Sequence, residues 1–357
     1  MLSKEESQRL NVLRFPLIVG VVFIHAYGSD VGFSGGSIGL TETNTVTDFV
    51  RNLISQGISR TAVPLFFLMS GYLFFLGFQG SRDEYFSKIS SRVKTLLIPF
   101  LIWNISTLLV LAIAQSLPST QEFFSGKNAR ISSFDLFDYI NAIFGLDRSP
   151  ISYQFWFIRD LIVLVIFSPV AYFIINRIPV IFLSFLLACW FTNIWPLFSP
   201  SAEATLFFSI GATVACKDKS LFRLDNFAIP IIIAYIFTLS IDIFLTGLQF
   251  GQYVHRVGII LGVLAFLSLS KKIVLRPKLN NALITFGATS FFVFAGHEPL
   301  LTVVKKIAFK IIQPSSNFSI LALYFLIPTF VVFLLVVTYH FFAKKMPIFT
   351  RVIAGGR

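Results

Sequence analysis

The chain has 357 residues, of which 55% are apolar and only 13% charged, and its mean hydropathy is +0.80. That balance excludes a sizeable soluble domain, because nearly every residue belongs to an apolar block of roughly 18 or more or to a short polar joint between two such blocks. The net charge of +12 is therefore read as membrane topology and not as a nucleic-acid footprint, and two scattered cysteines, Cys189 and Cys216, indicate neither a disulfide framework nor a metal site.

In chain order the apolar blocks predict ten membrane-spanning helices, over residues 11–27, 58–78, 95–114, 155–175, 179–195, 203–215, 229–247, 254–270, 283–304 and 319–342. The expected fold is all-α: one polytopic integral-membrane domain over residues 1–357, with no soluble extracytoplasmic domain. The first block lacks a small-residue cleavage site and is followed by further spans, so it is read as a retained helix. With the N-terminus inside, eighteen Lys and Arg fall on the cytoplasmic side, Arg357 among them. Eight fall outside, including Lys127, so both termini are expected in the cytoplasm. The two longest joints, 28–57 and 115–154, then lie outside and hold most of the Gly, Ser, Asn and Asp available for contacts to an acceptor. No internal repeat is visible, which weakens a transport reading.

The first span reads "LRFPLIVGVVFIHAY" and carries Arg14 and His25. Eleven residues bring them to one helix face about 16 Å apart along the axis, with Ile18 and Val21 between them. A narrow groove beside this helix would have a cation near its cytoplasmic end and an imidazole toward the outer third. Taken alone, Arg14 is as readily an interfacial anchor, whereas His25 has the side chain best suited to general-base work near neutral pH. In the second span Ser70 and Gly71 interrupt a bulky run, as a close helix contact or a ligand would require. No G-x-S-x-G surrounds Ser70, so a nucleophilic serine is not expected.

The joint that follows carries Arg82, Lys88, Arg92 and Lys94, first of all a positive-inside signal and alternatively a phosphate-capturing cluster. The fourth span opens with Trp156 in the aromatic belt and Arg159-Asp160 one turn inside. Adjacent helix positions diverge, so these two are expected to find partners elsewhere and not each other. The ninth span contains "FFVFAGHEPLL", in which His297 lies about 21 Å from the cytoplasmic end, the depth of His25. Glu298 adds a carboxylate there. Pro299 frees backbone carbonyls, which membranes tolerate only where protein or a wet cavity re-satisfies them. Glu203, Asp242 and His255-Arg256 also fall in outer halves of their spans.

In their order and spacing, Arg14 with His25, "VPLFFLMSGYLFF", "SRVKTLLIPFLIW", "FWFIRDLIVLVIFSP" and "SFFVFAGHEPLL" resemble the acyltransferase family 3, integral-membrane enzymes that O-acetylate bacterial surface glycans. Arg92 matches the first of an arginine pair common at the third span, with Thr95 in the second place, and Pro16 after Arg14 is a further departure. The resemblance implies a multi-pass protein of the bacterial inner membrane that moves an acyl group, acetyl above all, from cytoplasmic acyl-CoA to a hydroxyl of a lipid-linked or exported glycan. Acetyl-CoA is then a substrate and no bound cofactor is expected; the partners are acyl-CoA, the glycan and membrane lipid, with no nucleic acid. It further implies that Arg14 and Arg92 hold the donor phosphates, and that His25 acts as general base or acyl carrier with His297 and Glu298 beside it. Ser70, Trp156, Arg159 and Asp160 are the candidate groove residues. A second reading stays open from the sequence, a glycolipid flippase or exporter that makes no bond.

Overall fold

The computed structural model describes residues 2–126, 129–245, 248 and 250–356; Lys127, Gly247 and Arg357 lie outside these. The first helix, α1 (Lys4–His25), starts seven residues ahead of its apolar block because Ser3 and Glu6 form a capping box that satisfies the first free amides. A short hairpin, β1 (Asp30–Phe33) and β2 (Gly36–Gly39), and α2 (Thr45–Arg51) then lead through a π turn at Asn52–Gly57 and a 3-10 turn at Ile58–Thr61 into α3 (Ala62–Phe75). A surface helix with no buried residue, α4 (Arg82–Arg92), feeds through a second π turn into α5 (Ile98–Ser116), and a short α6 (Leu136–Phe144) follows.

The second half is almost continuous helix. It comprises α7 (Trp156–Ile166), α8 (Ser168–Arg177), α9 (Pro179–Thr192), α10 (Ala202–Cys216), α11 (Ala228–Phe244), α12 (Gly251–Val274) and α13 (Pro277–Gly287). The chain closes with α14 (Ser290–Ile312), α15 (Asn317–Lys345) and a terminal α16 (Pro347–Ile353).

Six helical stretches among the described residues are long and apolar enough to cross a membrane, or eight if each of two bent pairs counts as one crossing. The expected fourth span is bent by 65° between α7 and α8, where Pro169 opens the second helix, and the expected ninth is bent by 59° between α13 and α14. The expected fifth and sixth spans correspond to α9 and α10, with 14 and 15 residues. At 1.5 Å per residue these fall short of the roughly 30 Å hydrocarbon core, so the count of ten full crossings reduces to six to eight. Apolarity alone marked these segments, and apolarity does not distinguish a span from a buried half-helix. Large apolar side chains cover the exterior, among them Ile181 at 67%, Phe237 at 67% and Phe318 at 83% exposure, which is the surface that lipid requires and water does not tolerate.

Two packing arrangements position the interior. Around α1 stand α12, α13 and α14, so the helix that carries Arg14 and His25 is central. The α3–α10 contact is closer still. A Cβ on Gly71 would stand 2.0 Å from the Phe208 carbonyl oxygen, and one on Gly211 2.0 Å from that of Leu68. Gly71 thus answers to helix packing, and its neighbour Ser70 is left to face elsewhere.

Candidate active site

His25 stands at the end of α1, and the break in α14 brings the ninth-span residues to it. Glu298 has non-helical backbone angles (φ −113°, ψ 136°), and Pro299 offers no N–H to the Ala295 carbonyl one turn back. The side-chain amide of Gln154 takes over: its Nε2 donates to the Ala295 oxygen at 3.1 Å and to the Glu298 oxygen at 3.1 Å. Protein thereby satisfies the carbonyls that the proline frees.

The kink presents a connected polar group. The Tyr153 hydroxyl lies 3.1 Å from Glu298 Oε1 and Thr302 Oγ1 2.8 Å from Oε2, so both carboxyl oxygens are engaged. The same Tyr153 oxygen lies 3.0 Å from His25 Nδ1. Where the single Tyr153 proton serves Glu298, Nδ1–H donates to Tyr153 and the lone pair of His25 lies on Nε2. The His297 ring centroid is 5.3 Å from that of His25. His297 Nδ1–H donates to the Phe294 carbonyl at 2.6 Å, while its Nε2, fully buried, has no hydrogen-bond partner among the described residues.

The structure thus gathers His25, His297 and Glu298 at one place and adds Tyr153 and Gln154, which sequence reasoning missed. The available signal was the polar run Ser152-Tyr153-Gln154 directly before Phe155-Trp156, set at the end of a span where only apolar residues and an aromatic belt had reason to be.

A slot of about 100 Å³ lies between α1, α3, α7 and α14, on the helices that carry this centre. Its walls include Ile18, Val21, Ser70, Arg92, Phe157 and Phe294. Ile18 and Val21, the row between Arg14 and His25, line the slot, while Arg14 and His25 themselves do not. Val21 precedes His25 by four residues and Phe294 precedes His297 by three, so two of the slot's walls belong to the helices that carry the imidazoles, about one turn away from them. Arg14 lies within electrostatic range of Arg92. None of the ion pairs among the described residues involves either guanidinium.

The remaining groove candidates separate. Ser70 lines the slot, and Trp156 packs its ring 6.3 Å from that of Phe67 without lining it. Arg159 and Asp160 do pair with each other, contrary to expectation: Arg159 Nε and Nη2 donate to Asp160 Oδ1 at 3.1 and 2.9 Å. The divergence of neighbouring positions applies to Cβ directions, and the long arginine side chain folds back across it. Arg159 Nη1 also donates to the Gly145 carbonyl at 2.8 Å, and Asp160 accepts from Ser199 Oγ and the Ser201 amide, both at 2.8 Å. The pair is a clasp that ties two loops to α7 and stands apart from the slot. Farther out, His255 Nδ1 and Asp242 Oδ2 meet at 2.8 Å between α12 and α11. Among the described residues no three His, Cys, Asp or Glu gather as a metal site.

The acyltransferase domain family model matches residues 7–338, nearly the whole chain and every residue of the centre described above. The chain belongs to this acyltransferase family. It is also 27% identical to the succinoglycan biosynthesis protein ExoH of Rhizobium meliloti (strain 1021), over 98% of this chain and 92% of that protein. No solved structure matches it.

Proposed function

We propose that this acyltransferase moves an acyl group, acetyl in the first instance, from cytoplasmic acyl-CoA to a hydroxyl of a surface or lipid-linked glycan in the bacterial inner membrane. The observations that carry the reading are an apolar slot that holds the Arg92 guanidinium and is walled by Ile18 and Val21 of α1, and the hydrogen-bonded group of His25, Tyr153 and Glu298 one to two turns farther along the same helix and α14. A phosphate-bearing thioester suits that polarity: its phosphates meet Arg14 and Arg92, and its slender pantetheine arm occupies the apolar walls. The family supports acyl transfer, and the similarity to a succinoglycan biosynthesis protein supports a glycan as acceptor.

In this reading His25 Nε2 takes the proton of the acceptor hydroxyl as its oxygen attacks the thioester carbonyl. The carbon–sulfur bond then breaks, the thiolate leaves with that proton as the free thiol, and the ester remains on the sugar. The Tyr153–Glu298 link holds the imidazole in orientation and stabilises its charged form, and His297 Nε2 offers a second proton acceptor beside it.

Mass spectrometry of surface glycans with and without the gene tests the whole reading. A lost increment of one acetyl group is the expected result, and a different acyl increment replaces acetyl while keeping the chemistry. Purified protein that consumes no acyl-CoA, from cells whose glycan is exported less, returns the case to the exporter.

A further inference from the structure

A second cleft, of about 340 Å³, opens where α4 meets α8, on the face where the sequence places both termini. That volume is within the range of small-molecule sites, roughly 300–1,000 Å³. Its walls combine aromatic rings with cations: Tyr85, Tyr172 and Phe173 with Arg82 and Arg177. The Tyr85 hydroxyl is fixed by donating to the Ile166 carbonyl at 2.9 Å, and Tyr172 is packed edge-on to Phe78 at 5.0 Å. Gly80, at φ +86°, lets the Tyr172 ring lie close, since a Cβ there would stand 2.6 Å from it. Arg177 sits over the Phe173 ring at 4.3 Å. Neither Arg82 nor Arg177 takes part in an ion pair among the described residues, and the acidic neighbours Asp83 and Glu84 do not line the cleft.

Immobilised aromatic faces beside unpaired guanidinium groups suit a planar base that carries phosphates. The helix α4 relates this cleft to the slot. Arg82 and Tyr85 line the one and Arg92 the other, ten residues or about 15 Å from Arg82 along the axis. Between them Lys88 donates one of its three protons to the Phe74 carbonyl at 2.6 Å and keeps two. We propose that this cleft receives the adenine nucleotide end of the donor, with Tyr85 and Tyr172 against the base, Arg82 and Arg177 on its phosphates, and α4 as the bridge along which the pyrophosphate passes to Arg92. The proposal rests on acyl-CoA being the donor. It adds that recognition of the nucleotide and of the acyl-pantetheine arm occurs at two separate places joined by one surface helix. A phospholipid headgroup shares the phosphate chemistry but has no base for the rings.

The test compares acetyl-CoA with acetyl-pantetheine, which lacks the nucleotide, as donors for the purified protein in nanodiscs, with thiol release as the readout. Arg82→Ala and Arg177→Ala should each lower kcat/KM for acetyl-CoA about ten- to a hundredfold, the value of a charge-assisted hydrogen bond, and leave acetyl-pantetheine unchanged. Equal losses on both donors, or on neither, overturn the cleft while the acyl-CoA reading stands. A parent protein that releases thiol from neither donor overturns both. Repeating the assay in nanodiscs of neutral lipid separates the phosphate sources: a loss seen only with anionic lipid assigns the two arginines to headgroups and overturns the nucleotide site.

Discussion

Two of the polar centres buried in this membrane protein are built on opposite terms. At the Arg159–Asp160 clasp every charge is answered: two donors from Arg159, a serine hydroxyl and a backbone amide converge on one carboxylate, while the remaining guanidinium nitrogen closes on a loop carbonyl. At the His25–Tyr153–Glu298–His297 centre the hydrogen bonds stop short. One fully buried nitrogen, His297 Nε2, has no partner among the described residues, and near the centre lies a slot lined by Arg92, which takes part in no ion pair among them. Burial is common to both, with Asp160 and His297 each at 0% exposure. Incomplete hydrogen bonding combined with access is what separates a working site from a structural one, because a native interior otherwise pairs its polar atoms.

The largest expected effect tests the open centre. His25→Ala should reduce acyl-CoA consumption by about 10³-fold, within the 10²–10⁴ range of a positioned general base, at unchanged amounts of protein in the membrane. Activity near the parent level in that variant would remove His25 from the chemistry. The closed centre should fail in the opposite way. Asp160→Ala leaves Arg159 buried without its counter-charge, a loss of about 3–5 kcal/mol, so folded protein recovered in detergent and its unfolding temperature should both fall sharply. If Asp160→Ala folds like the parent yet loses acyl transfer, the contrast between clasp and site collapses.

Why one centre was legible in the sequence and the other misjudged follows from what each depends on. Arg14, His25 and His297 are ionisable residues in apolar runs, and helix periodicity alone gives the shared face of the first two and the matched depth of the third. The Pro299 break was equally readable, since a missing N–H has a fixed consequence. Its remedy, Gln154, comes from a joint 145 residues earlier than Pro299 and is a product of tertiary folding that no local pattern encodes. Arg159–Asp160 was misjudged because the side-chain spacing rule was applied where side-chain length decides. The span count is affected for a related reason: apolarity marks α9 and α10, but their 14 and 15 residues fall short of a full crossing by length.

The slot supplies the next smaller effects. Arg14→Ala and Arg92→Ala should raise KM for acyl-CoA about ten- to a hundredfold with less change in kcat, since a phosphate contact remote from the carbonyl contributes uniform binding. Lysine at either position should recover part of it, as charge returns without the planar fork. Lys94→Ala, a neighbouring exposed cation that lines no part of the slot, is the control for diffuse attraction. Equal losses in all three variants would make the inner face a general attractor and leave the slot without a specific donor end.

The smallest effect is the most discriminating for the open centre, because Tyr153 holds it together without being its base. Tyr153→Phe keeps the ring against His25, where the centroids lie 4.9 Å apart, and removes only the hydroxyl that joins Nδ1 to Glu298. A hydrogen bond of this kind contributes about 0.5–1.5 kcal/mol net, so kcat should fall some two- to tenfold with KM for acyl-CoA unmoved. The pair Tyr153→Phe and Glu298→Gln then reports whether the link acts as one unit: if the carboxylate works through the tyrosine, the double variant should lose little more than the worse single one. Losses that multiply would show that Glu298 reaches the reaction by another route, and a Tyr153→Phe variant as active as the parent would mean that the tautomer of His25 is set by something other than this chain of hydrogen bonds.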